Sequence, residues 1–289
     1  MIGAVSTATR IARRLAPPFG RRRRRRPDTA FRRAIVAAGG SLAPQRPAPV
    51  WRGWVNTALR TRADADVAVA AVTAAGLTPH EDRPKNWDAL VALGTILERV
   101  PRRDAVLDMG APKYSSLLTW LYQYGYGSLT AIDLTYREAR TDGPIARLPM
   151  DLTKTTFPSG SFGAIACLSV IEHGVDTHAF LAESARLLRP GGILVASTDF
   201  WSDPLDTRGA VAYGHPVRIF DPAAIEAMVA DAADAGFELE QPLDLRTTDR
   251  VVHWASVDLD YTFLVLVLRR RGAPGLRGVL RRLVPLVGR

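Results

Sequence analysis

Residues 162–199 read FGAIACLSVIEHGVDTHAFLAESARLLRPGGILVASTD, and the architecture is decided there. FGAIACLSV (162–170) is an apolar run of strand length. THAFLAESARLL (177–188) spaces its apolar residues as a helix does, and RPGG turns the chain into a second apolar run, ILVASTD (193–199). A strand that is apolar on both faces is covered on both faces, and two such strands joined by a helix lie parallel. Polar residues follow each run: Glu172 and His173 after the first, Asp199 and Trp201 after the second.

The same alternation continues on either side. AVLDM (105–109) predicts a strand, KYSSLLTWLYQYG (113–125) a helix stopped by Gly125, SLTAIDL (128–134) a second strand and IARLPMDL (145–152) a weaker third. Beyond Asp199, PAAIEAMVADAADA (222–235) predicts a helix, FELEQ a short strand and YTFLVLVLRR (261–270) the last one. The last two strands have no long helix between them, so they predict an antiparallel edge at the C-terminus. The expected fold class is therefore α/β: a doubly wound, mostly parallel seven-stranded sheet with helices on both faces. Residues 101–271 form this domain. Residues 54–100 read as a helical cap, with an Ala-rich helix over 54–75 and another starting near Pro84, whose stripe is Leu90, Leu93, Ile96, Leu97 and Val100. Residues 1–53, rich in Arg and Pro, read as a disordered extension whose part from 27 is linker, and 272–289 as a basic tail.

Charge divides along the chain. Of the formal net charge of +9, residues 1–60 carry +13, residues 269–289 carry +7 and the middle carries −11. An acidic globular part argues against a basic nucleic-acid-binding face. The arginine run at 21–26 has three readings: an electrostatic tether, a targeting segment, or a solvated leader. The tail GLRGVLRRLVPLVGR (275–289) spaces Leu276, Val279, Leu280 and Leu283 as a basic amphipathic helix would, which allows weak contact with an anionic membrane surface. The longest apolar run, 263–268, is too short to span a membrane. The single Cys167 lies inside a strand, excludes a disulfide framework or a cysteine zinc site, and fits the cytoplasm. No metal site is expected.

In open α/β sheets ligands bind beyond the carboxyl ends of the strands. Those ends hold Asp108 and Gly110, then Asp133, Asp151, Glu172 with His173, and Asp199 with Trp201. The ordered set VLDMG, AIDL, MDL, FGAIACLSVIEHG and LLRPGGILVAST resembles the class I methyltransferases that use S-adenosylmethionine (SAM), most of all the branch with the quinone-biosynthesis enzymes. The resemblance covers residues 80–270. RPKNWDALVALG (83–94), YSSLLTWLYQYGY (114–126) and DRVVHW (249–254) also resemble methyltransferases associated with bacterial cell-surface glycans.

The resemblance implies a Rossmann-like methyltransferase fold, SAM as cofactor and a small-molecule or glycan-like acceptor. It places Gly110 and Ala111 beside the methionine part of SAM, and Asp108 at its ammonium or holding that loop. Asp133 would accept the ribose hydroxyls, Leu134 lie on the adenine, Asp151 and Leu152 meet the adenine edge, and Ser169 line the same site. His173, Glu172 and His215 are the candidate catalytic groups, since a neutral histidine is a natural base near pH 7. Asp199, Trp201, Tyr213 and His215 are candidates for the acceptor, while His253 and Trp254 precede the last strand. One departure stands out: Pro112 and Tyr114 replace the second and third glycines of the family's loop. Proline removes a donor and fixes φ, so the loop must take another path or start the helix early. Two other classes remain open. One is a non-catalytic scaffold with an altered loop; the other is a nucleic-acid methyltransferase using its Arg-rich ends.

Overall fold

The computed structural model describes residues 29–255 and 257–272. The arginine run at 21–26 and the amphipathic pattern of the tail lie outside them. Among the described residues there are eleven strands: β1 (Val106–Met109), β2 (Leu129–Ile132), β3 (Arg140–Asp142), β4 (Ile145–Leu148), β5 (Phe162–Leu168), β6 (Leu188–Phe200), β7 (Val211–Ala212), β8 (His215–Pro216), β9 (Phe237–Leu239), β10 (Val252–Trp254) and β11 (Leu259–Arg270). Six helices accompany them: α1 (Thr29–Ala37), α2 (Arg62–Ala74), α3 (Lys85–Arg99), α4 (Leu117–Gln123), α5 (Thr177–Leu187) and α6 (Pro222–Asp234).

The main sheet runs β10-β11-β6-β5-β1-β2-β4-β3, with β9 also paired to β11. The pairs β1–β2, β1–β5, β2–β4 and β5–β6 are parallel. Alternate side chains enter opposite cores. Val106, Ala164, Val195 and Val265 face one that includes α2, α3 and α4. Leu107, Ile165, Leu194 and Leu264 face another that includes α5 and α6. This two-sided covering is why the strands are apolar throughout.

Three expectations change. The sheet has nine strands, not seven, because the short β3 and β10 add rungs that a three-residue polar stretch does not announce. Strand β11 is not the edge: β6 pairs with one side of it and β9 and β10 with the ends of the other. Between those ends runs the segment 56–59. Leu59 N–H donates to the Phe263 carbonyl, and Val265 N–H to that of Thr57. Buried Asn56, with φ 58°, accepts from Val267 N–H at 2.6 Å and donates to the Gln241 carbonyl. A long apolar edge is thereby covered, and the Ala-rich helix begins only at Arg62, where Thr61 and Asp64 form a capping box.

The third change concerns 29–53, expected to be linker. Helix α1 buries Ile35, and a 3-10 turn at Pro49–Trp54 buries Trp51 and Trp54. Apolar surface on a few residues outweighs the surrounding Pro and Arg. Trp51 lies against Gly94 of α3, a helix buried continuously from Asn86 to Leu97 between this segment and the sheet. A methyl group on Gly94 would enter the Trp51 indole. Gly94→Ala is therefore expected to lower stability by about 1–3 kcal/mol despite its better helix propensity. Urea denaturation measures this, with Gly94→Ala/Trp51→Ala showing a smaller added loss than Trp51→Ala alone would suggest by simple summation.

Candidate active site

The carboxyl ends of β1, β2, β4 and β5 surround a cavity of about 710 Å³. Its floor is made where β1 leaves the sheet. Gly110 has φ 70°, and a Cβ there would lie within 2.6 Å of both Val170 methyl carbons. Only glycine permits that conformation and that approach together. Gly110 and Ala111 donate their N–H groups to the Ile132 carbonyl, so the loop is tied to β2. Tyr136 donates to the Ala111 carbonyl, and Arg147 donates to the Tyr136 oxygen at 2.9 Å. Pro112 and Ser115 then form a turn, and α4 starts at Leu117. The proline precedes the helix by a turn and does not start it.

Asp108 is buried, and its Oδ2 accepts from the Ser115 hydroxyl at 2.9 Å. Burial pushes its pKa up to about 7, with Ser115 and Arg147 pulling the other way. Asp133 uses Oδ1 to accept from Thr135 N–H, and Asp151 repeats the device with Thr153 N–H at 2.8 Å. Both turns engage the Oδ1 of the carboxylate, the threonine hydroxyls joining the N–H groups there. Leu134 is 68% exposed above them, and Leu152 is buried beneath. Ser169, after β5, has φ 52° and a buried hydroxyl without a partner among the described residues.

The other side of the cavity is aromatic. The β7–β8 hairpin turns through Tyr213 and Gly214, both with positive φ, as a two-residue hairpin of this twist requires. The Tyr213 ring meets His173 edge-on at 5.2 Å, and its hydroxyl lies 3.4 Å from that of Tyr114. Tyr114 in turn meets His80 at 6.0 Å. Burial, Lys85 and His215 lower the His173 pKa to about 4, so its imidazole is neutral at pH 7.

Asp108, Gly110, Ala111, Asp133, Leu134, Asp151, Leu152, Ser169, His173, Tyr213 and His215 thus line one cavity. Glu172, Asp199 and Trp201 do not. Glu172 points into the interior beside Thr198, where burial and then Asp199 raise its pKa well above the usual range. Asp199 is buried beside Tyr261, its pKa raised by burial to about 7. Trp201 stacks under the Arg250 guanidinium, 4.4 Å away. His253 pairs with Asp260 in the β10–β11 ladder. The wall also contains His80, Lys85, Asp88 and Asp176, which the sequence reading missed; all but Asp176 precede the motif series and arrive by packing of the chain around α3. Among the described residues no group of three or more His, Cys, Asp or Glu is disposed to hold a metal, and no helix is long and apolar enough to cross a membrane.

This mostly parallel sheet with a cavity at its strand tips is an open α/β fold. Residues 107–196 match the family described as Methyltransferase domain. Over 140 residues the chain is 33% identical to the ubiquinone biosynthesis O-methyltransferase of Xylella fastidiosa (strain 9a5c), covering 45% of this chain and 56% of that protein. The match thus spans little more than half the length of that curated relative. Geranyl diphosphate C-methyltransferase from Streptomyces coelicolor A3(2) is 15% identical and has the same fold, with a TM-score of 0.50 over 85% of this chain and 100% of its own. A geranyl diphosphate methyltransferase in complex with SAM, 16% identical, gives 0.50 over 71% and 90%. Residues 107–196 are thus similar to a methyltransferase domain, and the solved structures share the fold.

The raised Asp108 pKa predicts a pH-dependent stability. The folded state holds the Asp108 proton more tightly than the unfolded state, so this group's contribution is full below about pH 4 and is lost as pH rises to about 7. Asp108→Asn should make the ligand-free protein more stable than wild type at pH 8, with the gap closing toward pH 4. Denaturant melts across pH test this; a pH-independent difference would contradict it.

Proposed function

We propose that the protein moves the methyl group of SAM onto a small-molecule or glycan-like acceptor. The observation that carries this is the convergence of Asp108, Asp133 and Asp151, from the tips of β1, β2 and β4, on one cavity. The donor set suits the cofactor: a carboxylate for an ammonium, one for a ribose diol, one for an adenine amine. The unpartnered Ser169 hydroxyl supplies another polar contact on the same wall.

Asp108 receives the ammonium, with Ser115 holding the carboxylate in place. Asp133 takes the ribose hydroxyls on the oxygen that Thr135 leaves available, and Asp151 takes the adenine amine. Leu134 covers the adenine ring, and Gly110 and Ala111 shape the passage beside the methionine part. Bound SAM supplies a methyl group already activated on a sulfonium. The remaining work of the protein is alignment and exclusion of water. Tyr213 and His215 hold the acceptor from the hairpin side, and Tyr114 closes the gap to Tyr213. His173, neutral at pH 7, accepts a hydrogen bond from the acceptor's reacting O–H or N–H and orients it. Glu172, Asp199 and Trp201, being outside the cavity, support this wall from behind.

SAM binding by calorimetry is the decisive test. Asp133→Ala should weaken it about tenfold or more, since a charge-assisted hydrogen bond contributes about 1.5–3 kcal/mol. Wild-type affinity should fall about tenfold per pH unit below 7, as Asp108 takes up its proton, and level off above 8. Folded protein with no SAM affinity at pH 8 would instead mark a scaffold. Release of S-adenosylhomocysteine from a panel of phenolic and glycosidic acceptors then identifies the acceptor class.

A further inference from the structure

Asp88 is a fully buried acid that the assignment above leaves unused. It lies on α3, ahead of the matched segment, is 1% exposed and lines the cavity wall. Oδ1 accepts from the Ala89 N–H at 2.7 Å and Oδ2 from the Ser197 hydroxyl at 2.6 Å. Burial raises its pKa, with Lys85 and Ser197 acting against that. A carboxyl group kept there costs desolvation that an apolar residue would avoid.

What Asp88 holds is the Ser197 hydroxyl. With its proton directed to Asp88, the Ser197 oxygen turns a lone pair to the Ser169 N–H, 3.0 Å away. The same N–H reaches the Ser197 carbonyl at 3.1 Å. Ser169 needs both, because its φ of 52° is a conformation that a residue with a Cβ adopts at a cost of about 1 kcal/mol or more. The outcome is a buried Ser169 hydroxyl with no partner among the described residues, on the wall shared with Asp108.

We infer that Asp88 is a positioning residue: through Ser197 it holds Ser169 in its left-handed conformation, so that the end of β5 presents its polar groups to the ammonium of SAM. This rests on the SAM-binding reading above. Asp88→Asn keeps the shape, but its amide N–H donates into the Ser197 oxygen and competes with the Ser169 N–H there.

The test combines amide exchange at Ser169, followed by NMR without ligand, with calorimetric SAM affinity. Asp88→Asn and Ser197→Ala should each speed exchange at Ser169 about tenfold and weaken SAM about tenfold. The double variant should be no worse than the poorer single one, the signature of residues acting in series. Ser197→Thr, which restores the hydroxyl, should recover most of both. Wild-type exchange at Ser169 in folded Asp88→Asn, or losses that add in the double variant, would overturn the inference. Should Asp88→Asn fail to fold, the Ser197→Ala and Ser197→Thr pair decides alone. A wild-type protein that binds no SAM would sink the proposed function, and amide exchange would still judge the Asp88–Ser197–Ser169 chain.

Discussion

The approach of Val170 to Gly110 fixes the rest of the site. These residues follow β5 and β1, neighbours at the centre of the sheet, and their contact leaves no room for a side chain on the β1 turn. The turn therefore stays low, its N–H groups go to Ile132, and the space above it becomes the cavity. Everything polar at the strand tips is arranged around that depression. Filling it from below would tilt the Asp108 carboxylate and the Ser115 hydroxyl out of register with Asp133.

The site also concentrates electrostatic cost. Asp88, Asp108, Glu172 and Asp199 are all at most 5% exposed, and burial raises the pKa of each. A buried carboxyl is tolerated only where neighbouring donors hold it and the surrounding apolar packing is strong. Here two cores, one on each face of the sheet, supply that strength, while Ser115, Ser197, Thr198 and Tyr261 supply donors. The acids sit where the fold is rigid, so their spacing is set before any ligand arrives.

Much of this was readable in the chain. Apolar runs bounded by turns located β1, β2, β4, β5, β6 and β11, and the strand-tip rule picked out Asp108, Asp133, Asp151 and His173, which line one cavity. The failures have physical causes. Glu172 and His173 are adjacent, yet one points inward and the other into the cavity, a choice made by the local turn. The stripe on α3 showed that the helix is amphipathic but not that Trp51, 43 positions before Gly94, would bury its other side. Asp88, Lys85 and His80 lie outside the strand-tip series; only the packing of α3 against β5, β6 and β11 brings them to the cavity. The hydroxyl contact between Tyr114 and Tyr213 joins residues 99 positions apart, beyond the reach of any local pattern.

The threading of residues 56–59 along β11 bears on how the chain is made. Asn56 finds its partners at Gln241 and Val267, about 200 residues later. On a ribosome, that slot does not exist until β11 has emerged. Residues 56–59 must wait for that partner while the central strands assemble. Contacts of such long sequence separation form slowly, so β11 is the strand that lets residues 56–59 settle.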